Sequence, residues 1–133
     1  ALEIPGVGSQ YAFSSRDGSG AYLNGSNTYK LNIPANPPAQ KFWYFVVYDP
    51  QTRSMLQTGE MPYPSKNNKR NADMVKNADG SIDLYFGPQA PAGMEANWVK
   101  TVPGKGWFGI FRLYGPGQEW FDRTWKLGDI EKV

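Results

Sequence analysis

Phe42-Trp43-Tyr44-Phe45-Val46-Val47-Tyr48 is apolar or aromatic at every position. A strand carries such a run only where both of its faces are covered, so this segment is expected in the middle of a sheet. Just before it, the stretch PANPPAQK at 34–41 cannot continue a central strand, because proline offers no ladder donor; it reads as a crossover between sheets. Just after it, Asp49-Pro50-Gln51-Thr52 suits a type I turn, with the aspartate able to bond the backbone ahead and the proline preset for the second position. A short strand from Ser54 to Gln57 is expected next. The polar, Pro-rich stretch from Thr58 to Asn71 then reads as a long loop, with Lys66, Lys69 and Arg70 as a solvated face.

Working outward toward the N-terminus, Ser9 to Ser15 alternates around Tyr11 and Phe13 and reads as a first strand. Ala21 to Leu23 and Thr28 to Ile33 flank Asn24-Gly25-Ser26-Asn27, a hairpin signal because Asn-Gly readily supplies positive φ angles. Asn24-Gly25-Ser26 also spells a glycosylation acceptor, but the turn reading takes precedence. Toward the C-terminus, Asp73 to Asn77 and Ser81 to Phe86 flank Ala78-Asp79-Gly80 as a second hairpin, with Ile82, Leu84 and Phe86 on the core face. Trp98 to Val102 and Trp107 to Tyr114 form a third around Pro103-Gly104-Lys105-Gly106. That turn lacks the glycine spacing and following helix of a phosphate loop. Gln118 to Trp125 fits one or two helical turns that plug an end of the fold, with Trp120 beside Thr124 and Phe121 beside Trp125.

Those elements, together with 15 glycines, 11 prolines and 15% aromatic residues in 133, give an all-β expectation. The architecture is a single domain over residues 1–133, a jelly-roll-like two-sheet β-sandwich with a short C-terminal helical turn. The chain has no cysteine and no histidine, which excludes disulfides, zinc-thiolate sites, thiol nucleophiles and imidazole chemistry. No metal and no cofactor is expected. A net charge of +2 from scattered basic residues argues against nucleic acid as a partner. No stretch is apolar enough to span a bilayer, and the opening residues lack the regions of a secretory signal. The abrupt apolar start leads to the expectation that another segment precedes it in the natural protein, and the compartment stays open.

Arg112 is the most informative polar residue, since period-two alternation puts it on one face with Phe108, Ile110 and Tyr114. Two readings stand: an anion or carboxylate clamp, or a structural arginine stacked on rings and paired with one acid. Asp49 and Arg53 are close enough to pair around the turn after the central strand. The acids Asp83, Glu95, Glu119, Asp122 and Asp129 fall in different elements, so no general acid/base pair is indicated. The tyrosines Tyr22, Tyr29, Tyr44, Tyr63 and Tyr85 are candidates for rings with a wet phenol end, able to stack on a sugar or planar ligand.

The strings FWYFVVYDPQTRSMLQT, NADGSIDLYFGPQAPAGMEANW, TVPGKGWFGIFRLYGP and EWFDRTW resemble a bacterial module, domain of unknown function 1214, over roughly Gly6 to Glu131. The resemblance implies a jelly-roll β module that follows a partner, domain of unknown function 1254, often behind an export signal, which favours a periplasmic or secreted location. It supplies no catalytic residue set. It marks Asp49, Thr52, Arg53, Tyr85, Asn97, Trp98, Arg112 and Tyr114 as lying in family-like strings. Of these, Arg112, Tyr114, Asp49, Arg53, Tyr85 and Trp98 are the ligand-binding candidates. Three functions follow as expectations. The first is an accessory module that binds a small or carbohydrate-like ligand or packs against the N-terminal module. The second is a hydrolase or isomerase using carboxylate, tyrosine and Arg112. The third is a structural domain that forms a homo-oligomer.

Overall fold

The computed structural model describes residues 9–49, 65–68 and 72–133. The long aromatic run lies in β3 (Ala39–Tyr48), which pairs antiparallel with β7 (Phe108–Pro116) on one side and with β4 (Ser65–Asn67) on the other. β1 (Ser9–Ser14) pairs antiparallel with β7 and completes a first sheet in the order β1-β7-β3-β4. The second sheet has the order β6-β5-β2-β8, from β2 (Tyr29–Ile33), β5 (Ile82–Gly87), β6 (Trp98–Lys100) and β8 (Glu131–Lys132). The chain is thus mostly β, in two sheets, with a single short α-helix, α1 (Gln118–Phe121), and a 3-10 turn at Glu95–Asn97 among the described residues.

The core lies between the sheets. Trp43, Phe45, Val47, Phe111 and Leu113 point in from the first sheet, and Leu31, Ile33, Leu84, Phe86 and Val99 from the second. Phe45 and Phe86 meet across the gap with ring centroids 4.9 Å apart. The period-two pattern that places Ile82, Leu84 and Phe86 inside is observed directly, because alternate side chains of a strand leave opposite faces. On β7, Gly109 leaves room for a ring of the neighbouring strand: a Cβ there would overlap Phe45.

Several local pairings differ from expectation. The turn at Asn24–Asn27 forms, with Asn27 N–H donating to the Asn24 carbonyl, but its flanks do not pair with each other. Tyr22 instead bridges Arg16 and Asn24 bridges Gly106, while β2 pairs with β5 and β8. Residues 73–77 make no strand, although the turn closes through Asn77 and Ser81 with Gly80 at φ 87°. The third hairpin is absent: β6 pairs parallel with β5, and residues 101–107 carry the chain from the second sheet to the first. The sandwich expectation therefore holds, while the parallel β5–β6 pair is foreign to an all-antiparallel jelly roll. Within the stretch read as a loop, Ser65–Asn67 forms an edge strand and Lys66 is buried, not solvated. The expected strand from Ser54 to Gln57, the turn residues Pro50 to Thr52, and Lys69 and Arg70 lie outside the described residues.

Helix α1 ends at Phe121, so Phe121 and Trp125 are not brought together as helical neighbours. Trp120 and Trp125 pack instead, at 6.5 Å, and Trp125 stacks on Phe111 at 5.9 Å, closing one end of the core.

Candidate functional site

Alternation along β3 divides its aromatic run between two faces. Trp43, Phe45 and Val47 enter the core; Phe42, Tyr44, Val46 and Tyr48 leave it on the outer side. The cross-strand register then builds an aromatic lattice on that outer side. Phe42 lies opposite Tyr114, Tyr44 opposite Arg112, Val46 opposite Ile110 and Tyr48 opposite Phe108. From β1, Tyr11 faces Arg112 and Phe13 faces Ile110. The rings touch in two groups: Phe42 and Tyr114 at 4.5 Å and Tyr44 and Tyr114 at 5.6 Å in one, Tyr48 and Phe108 at 5.3 Å and Phe13 and Phe108 at 5.1 Å in the other. Phe42, Tyr44, Tyr48, Phe108 and Tyr114 are half-buried and Val46 is buried, while the β1 rings stay open to solvent. Tyr11 is 61% exposed and Phe13 58%. Among the described residues the inner face of the run is buried in the core and its outer face is only partly covered.

Arg112 stands in the middle of this lattice. Its guanidinium carbon is 5.8 Å from the Tyr11 ring centre and 5.9 Å from that of Tyr44, so the cation is held between two ring faces. Nη1 donates to the Tyr44 hydroxyl at 3.2 Å and to the Tyr114 hydroxyl at 3.4 Å, and the two hydroxyls are 3.4 Å apart. Nε is shielded from solvent and has no hydrogen-bond partner. Among the described residues no carboxylate pairs with Arg112. The acid expected for a structural arginine is missing, and two phenols stand in its place.

The phenols respond in opposite directions. Tyr114 is held below the usual tyrosine range, first by the hydrogen bond from Tyr44 and then by that from Arg112. Tyr44 is pushed up, chiefly by burial and then by its bond to Tyr114. Arg112 is raised further by its bond to Tyr114 and stays charged throughout. The arrangement fits Tyr44 donating to Tyr114, whose oxygen also accepts from the guanidinium.

Arg112 and Tyr114 therefore come together, joined by Tyr44, Tyr11 and Phe42, which alternation and register could have grouped with them. The other candidates lie elsewhere. Tyr85 and Trp98 are cross-strand neighbours on the second sheet, with Tyr85 on its outer side and the core between it and Arg112. The Trp98 indole N–H donates to the Gly87 carbonyl at 2.9 Å. Asp49, just past β3, is buried and pairs with Lys105 Nζ at 2.8 Å. Arg53, its expected partner, lies outside the described residues, as do Thr52 and Tyr63. Asn97 is fully buried and ties backbone to backbone: it accepts from Val75 N–H at 2.7 Å and donates to the carbonyls of Val75 and Asp83, both at 2.9 Å. That is a structural role.

At one end of the lattice, Phe13 and Phe108 continue into an apolar groove of about 560 Å³ lined also by Tyr22, Leu23 and Trp107. Sequence reasoning missed this groove, because Tyr22 reaches it through an isolated bridge and not through a strand pair. Among the described residues no cluster of acids could hold a metal ion, and no helix is long and apolar enough to cross a membrane.

This fold has counterparts among solved structures. A crystal structure of a Vibrio parahaemolyticus protein is similar over 98% of this chain and 32% of its own, with a TM-score of 0.79 at 23% identity. A putative uncharacterised protein from Burkholderia cenocepacia is similar over 92% of this chain and 34% of its own, with a TM-score of 0.54 at 18% identity. At these identities the likeness is one of fold, and the chain spans about a third of the length of either structure. No curated protein matches. Residues 8–118 match the family described as Protein of unknown function (DUF1214), and the chain belongs to that family.

Proposed function

We propose that this domain is a non-catalytic accessory module that docks, through the outer face of its first sheet, onto the N-terminal module of the polypeptide that carries it. The observation that carries this reading is the aromatic lattice itself. A strand apolar on both sides is fully packed on one side and, among the described residues, only partly covered on the other, where Tyr11 and Phe13 of β1 are exposed; Tyr, Phe and Arg are the residues enriched where proteins meet. The face is a sheet surface studded with rings, which suits a broad partner better than an enclosed small molecule. That the solved relatives are about three times as long fits a partner within the same polypeptide.

Hydroxyl-radical footprinting tests it. In the isolated domain Tyr11, Phe13 and Phe108 label readily; in the natural full-length polypeptide they are protected, while Tyr85 and Trp98 label equally in both. Equal labelling of Tyr11 and Phe13 in the two samples would defeat the reading.

The hydrolase or isomerase alternative needs Arg112, a carboxylate and a tyrosine around one pocket. The outer face holding Arg112 and Tyr114 offers phenols and no acid among the described residues, and Tyr85 is on the far side of the core. A small-ligand reading has one observation in its favour, the apolar groove beside Phe13, Tyr22 and Trp107. Saturable quenching of Trp107 fluorescence by a planar or carbohydrate-like compound would support it.

A further inference from the structure

We infer that the partner surface presents a carboxylate that docks onto Arg112, so that the aromatic face is closed by a charge-assisted bond at its centre. This rests on the docking reading above and adds the chemistry of the partner. Three observations lead to it. Arg112 is on β7, the strand between β1 and β3, and not at the rim. Among the described residues it has no acidic partner and its only hydrogen bonds go from Nη1 to two phenols. Its Nε–H is already shut away from water with nothing to bond.

Covering this face with an apolar surface alone would strip the guanidinium of its remaining water and leave an uncompensated charge, which is strongly unfavourable. A carboxylate from the partner removes that obstacle. With Nη1 engaged by the two phenols and Nε shielded, Nη2 is the donor left to meet a carboxylate oxygen, in a charge-assisted bond. Tyr11 and Tyr44 hold the guanidinium between their rings, so little side-chain freedom is lost on binding.

The same chemistry disfavours a second copy of this chain as the occupant. A two-fold interface joins a patch to itself, and the patch is made of Tyr11, Phe13, Phe42, Tyr44, Tyr48, Phe108 and their neighbours with no acid among them. Self-pairing would leave both arginines without counter-charge.

The test follows labelling of Tyr11 and Phe13 in the full-length natural polypeptide as pH falls from about 7 to about 4, across the titration of a carboxylate. Among the described residues the groups facing Arg112 are the phenols Tyr11 from β1, Tyr44 from β3 and Tyr114 from β7, with no carboxylate among them. In the unsubstituted protein, protection is expected to fall with pH as the carboxylate is neutralised. In Arg112→Met the face is open at neutral pH, because the partner's charge has lost its counterpart, and protection rises as pH falls. That inversion of sign is the signature, and a merely structural arginine would not produce it. Arg112→Lys should keep the sign of the unsubstituted protein, and Arg112→Glu should open the face at neutral pH. Far-UV spectra of the isolated domain confirm that each variant folds. If Phe13→Ser opens the face while Arg112→Met and Arg112→Glu leave it protected, the docking reading stands and the carboxylate is overturned. If Tyr11 and Phe13 are unprotected in the unsubstituted protein, both fall together. Protection that appears in the isolated domain only as a dimer forms would assign the face to a second copy and overturn the inference.

Discussion

Arg112 shows how far a single residue can be read. Alternation places it with Phe108, Ile110 and Tyr114, and the structure agrees. What alternation cannot say is which side of the sheet is the core, or that the neighbours across the strands are phenols where an acid was expected. The chemistry that results is measurable. Tyr114 ionises below the ordinary phenol range and Tyr44 above it. In an alkaline titration followed by tyrosinate absorbance, Tyr114→Phe should abolish the earliest step, and Arg112→Met should move it upward. The stability sign follows from linkage. Tyr114 releases its proton earlier in the folded state than in the unfolded one, so it adds stability as pH rises through its lowered value toward about 10. Tyr44 holds its proton longer when folded and takes stability away at higher pH. Gly109 gives a second residue-scale prediction. Its missing Cβ leaves room for the buried Phe45 ring, so Gly109→Ala should lower folding stability by about 1–3 kcal/mol in a denaturant titration.

At the scale of elements, the turns that fall among the described residues were legible and the pairings of their arms were not. Ala78-Asp79-Gly80 turns the chain because Asp79 accepts from the Ser81 backbone and hydroxyl and Gly80 takes a positive φ, all of which are local. Whether the arms on each side pair with each other depends on distant strands that compete for the same edges. β5 satisfies its edges with β2 and β6, and residues 73–77 are held instead through Asn97. Asn97→Ala leaves three buried or half-buried backbone groups of Val75 and Asp83 without partners. We expect a loss of about 2–4 kcal/mol, read as a lower denaturation midpoint with an unchanged slope.

For the whole molecule, the contrast between its two outer faces matters most. Lys30, Asn32, Asp83 and Tyr85 dress the outer side of the second sheet, where Asn32 bonds Asp83 at 2.8 Å. The first sheet presents rings. Replacing Tyr11 and Phe13 together by serine should leave the isolated domain folded, with stability changed by about 1 kcal/mol or less, since neither ring is part of the core. The same double change should reduce binding of a hydrophobic dye, whereas Tyr85→Ser should not. Equal dye binding by both variants would show that the first face is no stickier than the second.

The amino-acid sequence by itself determined the all-β class, the turns at Asn24-Gly25-Ser26-Asn27, Ala78-Asp79-Gly80 and Pro103-Gly104-Lys105-Gly106, the inward set of β5 and the exclusion of thiol and imidazole chemistry, because composition and short-range periodicity are local properties. It also required that the aromatic run of β3 be covered on both sides. Only the tertiary structure decided that β6 joins β5 in parallel, that residues 101–107 cross between sheets, and that the second side of β3 faces outward around an arginine with no acid among the described residues. Those outcomes depend on which distant edges meet and on where the core lies, and neither is encoded at a spacing of two or of four residues.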